Sequence, residues 1–157
     1  MQLLVVSGRS GSGKSSALNS LEDAGFCCMD NFPVSLLPNL FEKSETPQVI
    51  QKYAVSVDVR APEEEISLLP EMLRHLSSRG IESEVLFLDA DTPTLIRRFS
   101  ETRRKHPLTN STTDLQAALI KETEILAPLM NIADATINTS TMAPGMLSDA
   151  LEKRFLF

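Results

Sequence analysis

The chain has 157 residues, a formal charge of −6 and a hydrophobic fraction of 42 %, proportions that suit a single globular domain with a real core. The acidic balance excludes a domain whose whole surface binds nucleic acid, because phosphate binding requires clustered cations. No apolar run is long enough to cross a bilayer, and the first residues resemble a buried strand rather than a cationic leader. We therefore expect a cytoplasmic protein with no membrane partner.

Strand-like and helix-like segments alternate along the chain, which indicates an α/β fold. Short apolar runs predict five strands, at residues 3–6, 26–29, 54–59, 85–88 and 135–138. Helices are predicted at residues 14–24, 33–41, 62–80, 114–126 and 144–155, and a further helix begins at residue 92. The pattern predicts a mainly parallel, five-stranded sheet with helices on both faces. No repeat or linker divides the chain, so residues 1–157 form one predicted domain.

The first predicted strand runs into a glycine-rich stretch that matches the pattern GxxxxGK[ST] in full. Its glycines allow successive N–H groups to point at an anion, and the helix that begins near Lys14 directs its positive end to the same place. We expect Lys14 to contact the β- and γ-phosphates of ATP or GTP, and the Ser15 hydroxyl to bind Mg²⁺. The predicted fold is thus a kinase-like P-loop NTPase. Its predicted nucleotide-binding residues are Gly8, Arg9, Ser10, Gly11, Ser12, Gly13, Lys14 and Ser15.

Three aspartates follow predicted strands: Asp30, Asp58 and Asp89. Strand ends of a parallel sheet meet at its carboxyl edge, where ligands bind in open α/β folds. A carboxylate there would complete the Mg²⁺ site next to Ser15. We favour Asp58 and keep Asp89 as the alternative, since either residue could instead cap a helix or a turn.

Residues 97–105 carry five cationic side chains and a single carboxylate. The cationic segment at residues 103–106 lies where a small P-loop kinase has its lid, and lid arginines stabilise the charge on the transferred phosphoryl group. The predicted catalytic residues are therefore Lys14, Asp58, Arg103 and Arg104. A solvated helix end is the alternative interpretation. RNA binding by these cations is a minor third hypothesis, because one tyrosine and no tryptophan offer little platform for base stacking.

A closer match covers nearly the whole chain. It comprises residues 6–15, 17–18, 21–23, 25–26, 30–31, 56–60, 86–91, 95–99 and 102–108. On these segments the chain resembles the N-terminal part of the RapZ family, the RNase adapter proteins also called the YvcJ group. The resemblance implies an ATP site at residues 8–15. It also implies a second nucleotide motif, associated with GTP, at Asp58, Val59, Arg60 and Ala61. Ala61 departs from the family pattern, in which an amide or small polar residue is usual, and this weakens any side-chain hydrogen bond there.

The resemblance also carries expectations about partners. Family members have a C-terminal domain that binds small RNA and senses an amino-sugar phosphate, and they present the RNA to an endoribonuclease. We expect this chain to be the nucleotide-binding part of such an adapter, with weak hydrolysis, and the full-length protein to be a homo-oligomer. RNA would bind mostly through the absent C-terminal domain. The alternative is a small-metabolite kinase that uses the same loop and lid, for which Asp30 is the candidate base.

Overall fold

A computed structural model describes residues 2–42, 52–102, 104–110, 114–143 and 145–155. Its strands are β1 (Gln2–Gly8), β2 (Cys27–Met29), β3 (Lys52–Ser56), β4 (Glu82–Asp89) and β5 (Ala135–Asn138). All neighbouring strands pair in parallel, in the order β2-β3-β1-β4-β5. Because β1 lies between β3 and β4, the strand order reverses beside β1 and opens a crevice at the carboxyl edge.

Helices cover both faces of this sheet. They are α1 (Lys14–Asp23), α2 (Glu63–Ser78), α3 (Thr92–Thr102), α4 (Leu115–Ile132) and α5 (Met146–Phe155), together with a 3-10 helix (Val34–Phe41). The first and last α-helices pack on one face, and α2, α4 and the 3-10 helix pack on the other. None of the helices within the described ranges is both long and apolar enough to cross a bilayer.

The central strand shows why the sheet is buried on both sides. Leu3 and Val5 of β1 belong to the core beneath α2 and α4. Leu4 and Val6 belong to the core beneath α1 and α5. Successive side chains of a strand point to opposite faces, so an unbroken apolar run is what a doubly covered strand requires. The predicted five-stranded sheet with helices on both faces is confirmed.

Three predicted boundaries differ from the structure by three residues or more. One is the start of β4, which was expected at residue 85 and lies at Glu82. The third strand was expected at residues 54–59, but β3 ends at Ser56, and the chain then turns with a hydrogen bond from Ala61 N to Asp58 O. The fourth helix was expected to stop at residue 126, but α4 continues past Pro128 to Ile132. Proline removes one backbone donor, yet Leu126 and Leu129 are both buried, and their packing holds the last turn in place.

Candidate functional site

The glycine-rich loop, defined as residues 8–15, joins the end of β1 to the start of α1. Its three glycines have positive φ angles: 153° at Gly8, 88° at Gly11 and 111° at Gly13. A Cβ atom on Gly8 would lie 2.2 Å from the carbonyl oxygen of Leu88 in β4. The loop therefore passes so close to the neighbouring strand that its first position has no room for a side chain.

A cleft of about 580 Å³ lies at the carboxyl edge of the sheet. Five residues of the glycine-rich loop line it: Ser10, Gly11, Gly13, Lys14 and Ser15. Gly8, Arg9 and Ser12, which were predicted with them, do not. Gly8 faces β4, and Ser12 is buried, with a hydroxyl that has no hydrogen-bond partner among the described residues. Five of the eight predicted loop residues are thus in position to contact a ligand.

Arg9 instead fixes the loop to the junction of β4 and α3. Its Nε atom lies 2.9 Å from Oδ1 of Asp89, and Nη1 donates to the Thr92 hydroxyl at 3.1 Å. Nη2 donates to the carbonyl of Ala90. Asp89 does not line the cleft. The Asp89 carboxylate also accepts a hydrogen bond from the N–H of Ala90. The charges of Arg9 and Asp89 therefore stabilise the contact between the loop and β4.

Lys14 is the cation at the start of α1. Its ammonium donates to the carbonyls of Gly8 at 2.9 Å and of Arg9 at 3.2 Å. Burial lowers the pKa of Lys14, while the nearby carboxylates of Asp58 and Glu122 oppose that shift. The N-cap residue of α1 is Gly13, which has no side chain to cap the helix, so the first N–H groups of α1 can bind an anion.

Asp58, Arg60 and Asp30 form a charged cluster on the cleft. Arg60 donates its backbone N–H and its Nε to Oδ1 of Asp58, both at 2.9 Å, and its Nη2 to Oδ2 at 2.6 Å. The same Nη2 lies 2.8 Å from Oδ1 of Asp30, which also accepts from the Ser56 hydroxyl. Burial alone would raise the pKa of both carboxyls, but the hydrogen bonds from Arg60 hold each pKa below its ordinary value.

The turn at residues 58–61 places only two of the four residues of the second predicted nucleotide motif on the cleft. Asp58 and Arg60 line the cleft. Val59 is buried, and Ala61 packs against the core beneath α2. Because the methyl group of Ala61 faces the core, its departure from the family pattern removes no hydrogen bond on the cleft side.

The predicted lid is represented by the connector, residues 104–110. Arg104, Lys105 and Pro107 line the cleft, as do Arg98 and Phe99 of α3. Arg104 thus lines the same cleft as Lys14 and Asp58. The other predicted lid residue, Arg103, lies outside the described residues.

Two side chains that were not among the predicted site residues contact the glycine-rich loop. Arg98 donates through Nη1 to the carbonyl of Gly11 at 2.9 Å, and through Nη2 to the carbonyl of Thr139 at 2.6 Å. Glu122 of α4 is fully buried and accepts hydrogen bonds from Ser10 and His106. The spacing did contain a signal, since Glu122 interrupts the apolar stripe of α4 three residues after Leu119.

Comparison with known proteins agrees with this arrangement. The model of the RapZ-like N-terminal domain matches residues 1–157. A nucleotide-binding protein of Ectopseudomonas mendocina is 46 % identical over 158 aligned positions, which cover 99 % of this chain and 55 % of the relative. One from Pseudomonas savastanoi is 47 % identical with the same coverage. The chain therefore spans about half the length of the curated relatives that it matches.

Solved structures share the fold at low sequence identity. The shikimate kinase of Bacteroides thetaiotaomicron has a TM-score of 0.63 at 12 % identity, covering 99 % of this chain and 98 % of the kinase. The shikimate kinase of Acinetobacter baumannii has a TM-score of 0.61 at 18 % identity, covering 98 % and 92 %. The predicted kinase-like P-loop fold is confirmed, and the family match extends over all of its elements. This chain belongs to the family of RapZ-like N-terminal domains.

Proposed function

We propose that this domain binds ATP or GTP with Mg²⁺ and hydrolyses it slowly, as the regulatory part of an RNase adapter that controls small-RNA processing and amino-sugar synthesis. The observation that carries the proposal is the convergence on one cleft of the loop glycines, the Lys14 ammonium and the Asp58 carboxylate. The relatives from Ectopseudomonas and Pseudomonas are named as nucleotide-binding proteins, which supports the same assignment.

The phosphates belong at the glycine-rich loop. The uncapped start of α1 offers N–H donors and a positive dipole end, and Lys14 adds a full charge at the same point. Arg104 and Lys105 supply further positive charge from the connector. Phosphoryl transfer depends mainly on positioning and charge neutralisation, so these groups support slow hydrolysis.

The donor atoms present fit Mg²⁺. Ser15 and Asp58 line the same cleft, and their hard oxygen atoms are of the kind that Mg²⁺ prefers. Both oxygens of Asp58 also accept hydrogen bonds from Arg60, so the ion would compete with Arg60 for this carboxylate or be held by it through water. No group of three or more His, Cys, Asp or Glu side chains suited to a metal occurs among the described residues. This suits an ion held by one carboxylate together with phosphates and water. When bound, the ion would neutralise phosphate charge.

Asp30 supports the regulatory function over the kinase alternative. It was the candidate base for an acceptor hydroxyl, yet it is hydrogen-bonded by both Arg60 and Ser56. Arg60 holds the pKa of Asp30 below its ordinary value even though burial opposes this. A carboxylate of low pKa is a weak general base at neutral pH. The kinase alternative keeps the support of the shared fold with shikimate kinases, so it needs a direct test.

The test is a calorimetric titration with ATP and with GTP, combined with a turnover assay over a panel of small phosphate acceptors. We expect Mg²⁺-dependent binding and slow phosphate release that no acceptor accelerates. Turnover that depends on an acceptor would favour the kinase. Filter binding of small RNA tests whether this domain itself binds RNA: no affinity even at low salt would exclude it.

Replacing Asp58 with asparagine should reduce Mg²⁺-dependent hydrolysis about tenfold or more, with a smaller loss of nucleotide affinity. Asparagine keeps the shape and one acceptor oxygen but loses the charge that complements Mg²⁺. Phosphate release at saturating nucleotide measures the first effect, and calorimetry measures the second. Asp23→Asn, at the exposed far end of α1, is the matched control. Unaltered hydrolysis in Asp58→Asn would restrict Asp58 to its ion pair with Arg60.

A further inference from the structure

Glu122 is a carboxylate in the interior of the protein, outside the cleft. It lies on α4 with a relative exposure of 0 %, on the helix face that also carries the buried Leu119 and Leu126. Charged side chains are almost never fully buried unless they are paired. A glutamate at this position must therefore accept hydrogen bonds from its neighbours, because an unpaired buried acceptor is strongly destabilising.

On one side Glu122 contacts the glycine-rich loop. Its Oε1 accepts the backbone N–H of Ser10 at 2.9 Å, and its Oε2 accepts the Ser10 hydroxyl at 2.6 Å. Ser10 is 112 positions away in sequence and is one of the loop residues that line the cleft. The carboxylate thus fixes both the backbone and the side chain of this loop position.

On the other side Glu122 contacts the connector. Nε2 of His106, which is 2 % exposed, lies 3.0 Å from Oε1 of Glu122. The N–H of Leu108 donates to Nδ1 of the same ring at 3.0 Å. Since Nδ1 accepts, the ring proton is on Nε2, and the imidazole donates to the glutamate. The hydroxyl of Thr109 closes the turn by donating to the carbonyl of His106 at 2.6 Å.

The residues around His106 connect this network to the cleft. Arg104 and Lys105 precede it and Pro107 follows it, and all three line the cleft while His106 points inward. The ring of Phe99 lies 5.5 Å from the His106 ring between centroids, and a Cβ atom on Gly11 would meet Phe99 at 3.4 Å. The glycine-rich loop and the connector therefore both lie against Phe99 of α3.

We propose that Glu122 is a positioning residue that holds the glycine-rich loop and the cationic connector in one arrangement, so that Arg104 and Lys105 depend on it for their place at the cleft. Glu122 acts through Ser10 and His106 and does not itself line the cleft. The consequence for phosphate binding rests on the proposed function. The link between the two segments can be tested without nucleotide.

The first experiment measures hydrogen–deuterium exchange in the nucleotide-free protein. In Glu122→Ala we expect exchange to accelerate about tenfold or more both in residues 8–13 and in residues 104–110, since both lose their buried acceptor. Glu122→Gln should give a smaller acceleration, because the amide oxygen can still accept from Ser10 and His106. Glu124→Gln, on the same helix and exposed, is the matched control and should leave both segments unchanged. Acceleration in only one segment, or in neither, overturns the inference.

The second experiment is a double-mutant cycle on ATP affinity with His106→Ala and Arg104→Ala. His106→Ala breaks the connector side of the network and leaves Ser10 bound to Glu122. We expect each single change to weaken ATP binding about fivefold to tenfold. The double variant should bind ATP no more than about twofold more weakly than the single variant with the lower affinity. Losses that multiply would mean that Arg104 finds its place without His106, which overturns the proposed dependence.

The two experiments separate this inference from the proposed function. If the wild-type protein binds ATP but exchange in Glu122→Ala equals that of the wild type, the positioning role is wrong and nucleotide binding stands. If no nucleotide binds and exchange accelerates in both segments, the positioning role stands and the proposed function is wrong. Should Glu122→Ala fail to fold, the same comparison is made with Glu122→Gln and His106→Ala, each checked by circular dichroism.

Discussion

Replacing Lys14 with alanine is expected to weaken ATP and GTP binding by at least about 100-fold, equivalent to roughly 3 kcal/mol. Lys14 is the cation closest to the start of α1, and its ammonium is already held at the loop by the carbonyls of Gly8 and Arg9. An ammonium placed in this way meets the phosphates without a large loss of side-chain freedom. Calorimetric titration in the presence of Mg²⁺ measures the loss.

The fold should survive this change. Lys14→Ala removes a cation whose pKa is lowered by burial, so the lost hydrogen bonds are offset by a desolvation cost that no longer arises. Thermal unfolding without nucleotide should therefore change by only a few degrees. Lys153→Ala, which removes an exposed cation of α5, is the matched control and should leave affinity unchanged. Equal affinity in wild type and Lys14→Ala would refute the assignment of the loop to phosphates.

Gly8→Ala is expected to destabilise the protein by about 3–5 kcal/mol. Its φ of 153° is strained for any residue with a side chain, and the added methyl carbon would lie 2.2 Å from the carbonyl oxygen of Leu88. That oxygen belongs to the backbone of a central strand, so the contact is relieved only by moving β1 or β4. Chemical denaturation monitored by circular dichroism gives the change in unfolding free energy.

Gly80→Ala provides the comparison. Gly80 has a φ of 80°, but a Cβ atom there would meet nothing within 4 Å, so only the backbone strain of about 1–2 kcal/mol remains. A clear excess of the Gly8→Ala effect over the Gly80→Ala effect measures the close approach of the loop to β4. Equal effects would show that the loop can move away from the strand at little cost.

The sequence predicted the sheet and the loop because both depend on local pattern. A strand covered on both faces must be a short apolar run, as in β1 and β4. The edge strand β5 alternates between half-buried and exposed side chains, and it was predicted with its observed bounds, Ala135–Asn138. The GxxxxGK[ST] pattern likewise requires a strand before it and a helix after it. Arg9 stands at one of the four positions that the pattern leaves unrestricted. It pairs with Asp89, 80 positions away, and no local rule contains that contact.

The choice between Asp58 and Asp89 also needed three-dimensional contacts. Both follow buried strands, so their local sequences are equivalent. In the structure the arginine that reaches Asp89 comes from the loop and keeps it out of the cleft, whereas Arg60, two residues after Asp58, leaves that carboxylate on the cleft. Glu122 escaped notice for a similar reason, because its place on α4 was visible in the sequence while its partners were not.

Arg98 joins three parts of the chain that are far apart in sequence: α3, Gly11 and Thr139. Its planar guanidinium makes these contacts at once, which a lysine ammonium on a flexible stem would not reproduce. Arg98 therefore links the helix, the loop and the residue after β5 at the mouth of the cleft. We expect these contacts of Arg98 to persist while a ligand enters and leaves the cleft.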